Sequence, residues 1–220
     1  MTGRIDPALI PSNPDLHFER ALWKEGLRSV AGMDEAGRGC LAGPVAAAAV
    51  ILPGEEQIAE QLQGVNDSKT LTPTAREQYR KKIEQLSLCW AVGYATPAEI
   101  DSLGIVPATR LAGMRALAEL SRQPDHLLID YLVLPEHPTP QTRLVKGDQR
   151  SLSIAAASIL AKTHRDQQMQ SLGEKFPAYS WKSNKGYGTA SHRKAINVHG
   201  ASPHHRMSFA PLNKLSSSEH

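Results

Sequence analysis

Apolar positions along this chain recur in two rhythms, and the switches between them outline its elements. Residues 15–26 repeat at helical spacing, with Asp15 placed to cap the helix and Gly26 to stop it. Residues 28–34 then read as a strand, and residues 41–52, rich in Val and Ala, as its antiparallel partner. A polar loop at 66–70 precedes a helix that Pro73 opens and that runs to about residue 87, before a third strand at 88–95. Thr96-Pro97-Ala98-Glu99 carries a capping pattern, and Pro107 opens a longer helix to about residue 122. Short strands at 126–129 and 142–145 lead into Asp130 and Asp148.

A long helix follows at 151–171, with Leu152, Ala155, Ala156, Ile159, Leu160 and Thr163 on one face. Its small residues suit close packing on a sheet. A loop at 182–188 containing Gly and Lys precedes a last helix at 189–198. Residues 1–14 read as a flexible leader, 15–212 as a single domain with a C-terminal helical part, and 213–220 as a disordered tail. No internal repeat and no second hydrophobic core stand out. Three strands in a meander, then strands alternating with helices, predict an α/β fold with a mixed sheet.

Composition changes this picture little. The chain has 220 residues, 40% hydrophobic and 21% charged, enough for a sizeable core. The longest apolar run, 41–52, contains Gly43 and Pro44 and falls short of the ~18 residues a membrane span needs. No membrane association is expected. Cys40 and Cys89 make neither a disulfide framework nor a metal spacing, which fits a reduced, cytoplasmic setting.

Charge says more. Residues 1–142 hold 13 Lys and Arg against 18 Asp and Glu, whereas residues 143–214 hold 12 against 3. A basic C-terminal third beside an acidic N-terminal part suggests a polyanion held near carboxylates.

The candidate chemistry lies where strands end. Asp34-Glu35-Ala36-Gly37-Arg38-Gly39 closes the first strand, and Asp130 and Asp148 close later ones. Hard divalent ions such as Mg²⁺ and Mn²⁺ take carboxylate oxygens, and two of them about 4 Å apart support phosphodiester hydrolysis. Capping of the following helix is a competing role for Asp148. Gly37-Arg38-Gly39 allows backbone NH groups to approach a ligand closely.

Asn66-Asp67-Ser68-Lys69-Thr70 has Ser68 where a P-loop needs glycine, so nucleotide triphosphate binding is rejected. Tyr187, between Gly186 and Gly188 and near Lys182 and Lys185, can stack on a base or sugar. His204-His205 reads as a surface or loop-packing pair rather than a metal site. Lys162 and Asp166, four apart on a helix, read as an exposed ion pair.

Taken together, these blocks resemble the type 2 ribonucleases H (RNase HII). The resemblance continues through Lys146-Gly147-Asp148, residues 153–159, Lys162, Arg165-Asp166, Lys185-Gly186-Tyr187-Gly188-Thr189 and His205-Arg206-Met207-Ser208-Phe209, in the family's order over residues 28–211. It implies an RNase H-like fold, with a five-stranded mixed sheet flanked by helices and a C-terminal helical extension. It implies cleavage of RNA in RNA–DNA hybrids and incision 5′ of single ribonucleotides in duplex DNA, leaving 3′-hydroxyl and 5′-phosphate ends. The setting implied is ribonucleotide excision repair and DNA replication, with the protein acting as a monomer.

By the same resemblance Asp34, Glu35, Asp130 and Asp148 form the catalytic, metal-holding cluster, with two Mg²⁺ or Mn²⁺ ions in the substrate complex. Substrate contacts are expected from Gly37, Arg38, Gly39, Asn66, Ser68, Lys69, Lys146, Ser151, Lys185 and Tyr187. Two departures stand out: Tyr131 follows Asp130 where glycine is common, and Asn184 replaces a frequent histidine. Competing readings are a junction resolvase or integrase-like nuclease, and a binding module without catalysis.

Overall fold

The computed structural model describes residues 6, 10–130 and 132–215. Tyr131, positions 1–5 and 7–9 of the expected leader, and positions 216–220 of the expected tail lie outside the described residues.

Five strands form one mixed sheet: β1 (Val30–Ala36), β2 (Val45–Ile51), β3 (Cys89–Ala95), β4 (His126–Asp130) and β5 (Gln141–Leu144). Their order across the sheet is β3-β2-β1-β4-β5. β1, β2 and β3 form the antiparallel meander, while β4 runs parallel to β1, and β5 to β4. Met33 pairs with Ile129 and Asp130 with Leu144, so the parallel half brings the ends of β1, β4 and β5 to one side. This is the five-stranded mixed sheet that the resemblance implies.

Side chains alternate between two cores, as the period of a strand requires. Val30, Val50 and Leu128 face the long helix α6 (Leu152–Lys175), joining Ile154, Ala157 and Leu160. Ala31, Met33, Ile51, Leu127 and Ile129 face α5 (Ile105–Ala118), joining Ala116 and Leu117. β2, covered on both sides, is buried throughout, which explains its unbroken apolar run. Alanine has little surface to bury, so contact between α6 and the sheet depends on close approach. Gly32 permits it, since a Cβ there would stand 2.2 Å from the carbonyl carbon of Ser153.

The helices depart from the sequence pattern in instructive places. Residues 152–161 of α6 are buried on every side rather than on one face. The sheet covers one flank, and α1 (His17–Lys24) and α3 (Pro73–Leu86) help close the others. The helix expected to open at Pro107 begins at Ile105, with α4 (Pro97–Leu103) ahead of it and Gly104 at the joint. Pro107 sits in the first turn, where a backbone NH has no helical partner to lose.

The short helix α2 (Gln57–Gln61) carries no sequence signal, and α7 (Trp181–Asn184) lies inside the expected loop. A smaller cluster, separate from the two sheet cores, packs Leu41, Ala42, Met169, Tyr179, Trp181, Ile196 and Leu212. It joins the C-terminal helices α8 (Ala190–His199) and α9 (Leu212–Leu215) to the loop after β1. The sequence pattern missed this core because its members are scattered over five segments.

Candidate active site

Asp34 ends the apolar part of β1, Asp130 ends β4, and Asp148 lies on a 3-10 turn, Gly147–Gln149, ahead of α6. One carboxylate oxygen from each lies within 4.8 Å of the others. Their orientation is built locally. Glu35 NH donates to Asp34 Oδ1 at 2.8 Å, and Gly147 NH donates to Asp130 Oδ1 at 2.9 Å. Capping of α6 falls to Ser151, whose hydroxyl accepts from Ile154 NH at 3.3 Å, so Asp148 is free to face the cluster.

Burial and mutual repulsion dominate the electrostatics. Burial first, then Glu35, Asp130 and Asp148, hold the Asp34 carboxyl far above the usual carboxylate range. Asp148 is pushed up to about 7, by burial and then by Asp130 and Asp67. Asp130 is raised as well, chiefly by burial. Three crowded acids with raised affinity for protons are poised to exchange those protons for a cation. Their hard oxygen donors fit Mg²⁺ or Mn²⁺ better than softer metals.

Glu35 stands beside the triad rather than in it. Its carboxylate pairs with Arg38 at 2.9 Å, although burial still raises its pKa. Asp67, within the quoted loop motif yet given no role there, is 6% exposed and helps to raise the Asp148 pKa. Lys69 Nζ lies 3.8 Å from both Asp67 and Asp148, at the rim of the carboxylates.

The loop after β1 is held by two arginines to which the sequence motif assigned no task. Arg206 donates to the carbonyls of Gly37 (2.8 Å), Arg38 (2.8 Å) and Gly43 (3.0 Å). Arg165 donates to Pro44 (2.8 Å), Ala42 (3.1 Å) and Lys185 (2.9 Å), linking this loop to the one carrying Tyr187. Both guanidiniums are fully buried. With those carbonyls engaged inward, the Gly39 face stays open, and nothing lies within 4 Å of where its Cβ would be. Tyr187 is 41% exposed, lies near Cys40, the residue after Gly39, and carries Lys162 Nζ 5.5 Å from its ring centroid.

The other expected contact residues divide. Lys146, in a left-handed conformation, is exposed, and Asn66 and Lys185 are half-buried at the surface. Ser68 and Ser151 face inward in this structure. Ser68 is 3% exposed and accepts from the hydroxyl of Ser158, while Ser151 donates to Glu19 at 2.6 Å. Each positions a loop from behind. Lys162 and Asp166 do form an ion pair at 2.8 Å, but it is largely buried rather than exposed. His205 is buried too, against His192 and Ser202.

The comparisons agree with this geometry. The family model for Ribonuclease HII matches residues 31–212. A Ribonuclease HII of Synechococcus sp. is 51% identical over 99% of this chain and 96% of its own length. One from Roseiflexus castenholzii is 54% identical over 91% of this chain and 90% of its own length. Among solved structures, the ribonuclease H2 of Pyrococcus horikoshii OT3 superposes with a TM-score of 0.71 at 26% identity, covering 86% of this chain and 97% of that one. The RNase HII of Archaeoglobus fulgidus, solved in complex with PCNA, gives 0.68 at 25% identity, covering 82% and 95%. With the family model spanning most of the chain and relatives matching at about half of all positions, the chain belongs to the Ribonuclease HII family of metal-dependent endoribonucleases acting on RNA–DNA hybrids.

Proposed function

We propose that the protein also incises duplex DNA 5′ of a single embedded ribonucleotide, leaving 3′-hydroxyl and 5′-phosphate ends, with two divalent ions at the acidic cluster. The carrying observation is that Asp34, Asp130 and Asp148 converge within 4.8 Å at the end of β1, from which the Gly37–Gly39 backbone continues. Divalent ions there would supply charge neutralisation of the phosphate and activation of the attacking water. Asp34, on the central strand β1, would serve both ions, with Asp130 and Asp148 each serving one. Glu35 assists from the side while Arg38 holds its carboxylate.

Sugar selection falls to the loop after β1. The 2′-hydroxyl is the one group that marks the target, and only close backbone approach reads it. Arg165 and Arg206 draw the loop carbonyls inward and leave the Gly39 face clear for the sugar. Tyr187, on the loop that Arg165 ties alongside, stacks where RNA gives way to DNA. Lys69, Lys146 and Lys185 offer sequence-independent phosphate contacts. One chain carries every group named, consistent with a monomer, and buried free Cys40 and Cys89 suit the cytoplasm.

A duplex containing one ribonucleotide, assayed with and without Mg²⁺ or Mn²⁺ and with product ends mapped, tests this reading. Metal-dependent incision 5′ of the ribonucleotide is the expected result. Equal cleavage of the all-DNA duplex would overturn the sugar-reading role, and preference for a four-way junction would favour a resolvase.

A further inference from the structure

Beyond Tyr187, α6, the start of α3 and the 182–185 segment enclose a groove of about 550 Å³. Its lining includes Pro73, Arg76, Thr163, Asp166, Lys182 and Lys185. Arg76 Nη2 lies 3.9 Å from Asp166 Oδ2, and Lys162 Nζ lies 2.8 Å from Asp166 Oδ1. Lys162 also lies over the Tyr187 ring, so the groove continues from that tyrosine.

The charges do not balance. Arg76 and Lys162 share a single carboxylate, and Lys185 has no carboxylate within 4 Å among the described residues. Glu77, the other acid on the lining, is taken by Arg80 at 2.6 Å, and Lys182 meets Glu174 at 3.1 Å in a largely exposed pair that a phosphate can displace. Thr163 is 8% exposed, and its hydroxyl has no partner among the described residues. A cation-rich concavity with a spare hydroxyl suits a tetrahedral oxyanion.

An ordinary solvated basic surface would leave its side chains free, but these are held. Arg76, Lys162 and Asp166 side chains are only 13%, 15% and 13% exposed. Arg76 is fixed further by donating to the carbonyls of Ser68 (2.8 Å) and Leu71 (2.6 Å). Their rotamer freedom is already lost, so binding an anion would cost little more ordering. Burial holds the Lys185 ammonium below the usual lysine range, with Asp166 partly offsetting it and Lys162 and Arg76 adding to it, so a bound anion would favour its charged form.

We propose that this groove seats a backbone phosphate of the bound duplex, extending the contact track from Tyr187 across α6 to Arg76. This rests on the proposed function for the identity of the ligand. Because a phosphate carries no sugar or base information, the groove holds hybrid and all-DNA duplexes alike.

Gln170 lines the groove, is exposed, and makes no side-chain hydrogen bond among the described residues, so charge can be placed there without disturbing a brace. Gln170→Glu and Gln170→Lys are compared with the unaltered protein by fluorescence anisotropy, without divalent metal, on hybrid and all-DNA duplexes of one sequence. Glu is expected to weaken and Lys to tighten binding, by about threefold or more at 50 mM salt and equally on both duplexes. Lys182→Gln should flatten the slope of log affinity against log salt by about 0.9 if its ammonium neutralises one phosphate.

Affinities unmoved by either sign of charge, with an unchanged slope, overturn the proposal. The metal-free all-DNA arm keeps this separate from activity. A protein that shows these shifts but cuts no ribonucleotide retains the groove and loses the proposed function. One that cuts but shows no shift does the reverse.

Discussion

A Cβ on Gly37 would stand 1.9 Å from Nε of Arg165, so the guanidinium occupies the space a side chain would need. Gly37 also has φ +89°, a conformation that costs other residues strain. Gly37→Ala must therefore displace Arg165 and loosen its bonds to Ala42, Pro44 and Lys185 together. Expected is a loss of about 1–3 kcal/mol of stability in urea denaturation. Cleavage of the hybrid should drop roughly a hundredfold through misplacement of the loop. A variant as stable and active as the parent would show that the contact is not binding on the loop.

Asp34→Asn separates stability from activity. It removes a charge that burial and three neighbouring carboxylates oppose. The metal-free protein should therefore melt higher, by about 2–4 °C for each kcal/mol of repulsion relieved. Metal-dependent cleavage should vanish while hybrid binding persists. Near-normal turnover would remove Asp34 from the chemistry.

The pair His192 and His205 sets a pH limit on stability. Ser202 NH donates to His205 Nδ1 at 2.9 Å, so Nε2 carries the proton and points to His192 Nε2 at 3.1 Å. His192 in turn donates from Nδ1 to the Tyr187 carbonyl at 2.9 Å, and Trp181 donates to its Nε2. Both rings are thus neutral in this arrangement. Burial, then the neighbouring His192, depresses His205 from 6.5 to about 4.

Between those two values the unfolded chain takes a proton that the folded chain refuses. Stability is therefore complete above about pH 6.5 and falls as pH drops toward 4, by on the order of 2–3 kcal/mol in total. Comparing His205→Gln with the parent across pH 4–7 isolates this from other acids. The variant should show the shallower loss, and parallel curves would contradict the neutral pair.

Glu19 is a buried carboxyl with an unusual division of work. Its Oε1 accepts from Ser151 Oγ (2.6 Å), Ser153 Oγ (2.6 Å) and Ser153 NH (2.9 Å), while Oε2 has no partner among the described residues. Glu19→Ala strands three donors and should cost about 2–4 kcal/mol. Glu19→Gln keeps the accepting oxygen and should lie nearer the parent in a thermal melt. Equal losses for both would mean that charge, rather than the acceptor, is what the site needs.

Tyr187→Ala should reduce turnover on a single-ribonucleotide duplex more than it weakens duplex affinity, measured by steady-state cleavage and anisotropy. A uniform fall on every substrate would indicate damage to the packing with Cys40 and Lys162 instead.

The sheet and its acids were legible because strands announce themselves by alternation and a parallel pair must end on the same side. Asp34 and Asp130 follow from that alone, whereas Asp148 required knowing that Ser151, not the aspartate, caps α6. The inward turn of Ser68 and Ser151 was hidden because a hydroxyl satisfies a helix start or a buried carboxylate as readily as a phosphate. Arg165 and Arg206 were quoted as letters of a motif, yet nothing local marks an arginine whose partners are carbonyls more than a hundred residues away. Lys162 and Asp166 looked solvated because helical spacing describes one element and not the loop folded over it.

Arg206 closes the loop that begins 169 positions earlier at Gly37, and Asp130 must settle against a strand formed by residues near 30. A chain cut short before Arg206 would leave the carbonyls of Gly37, Arg38 and Gly43 without their clasp, although all three aspartates of the cluster precede that arginine.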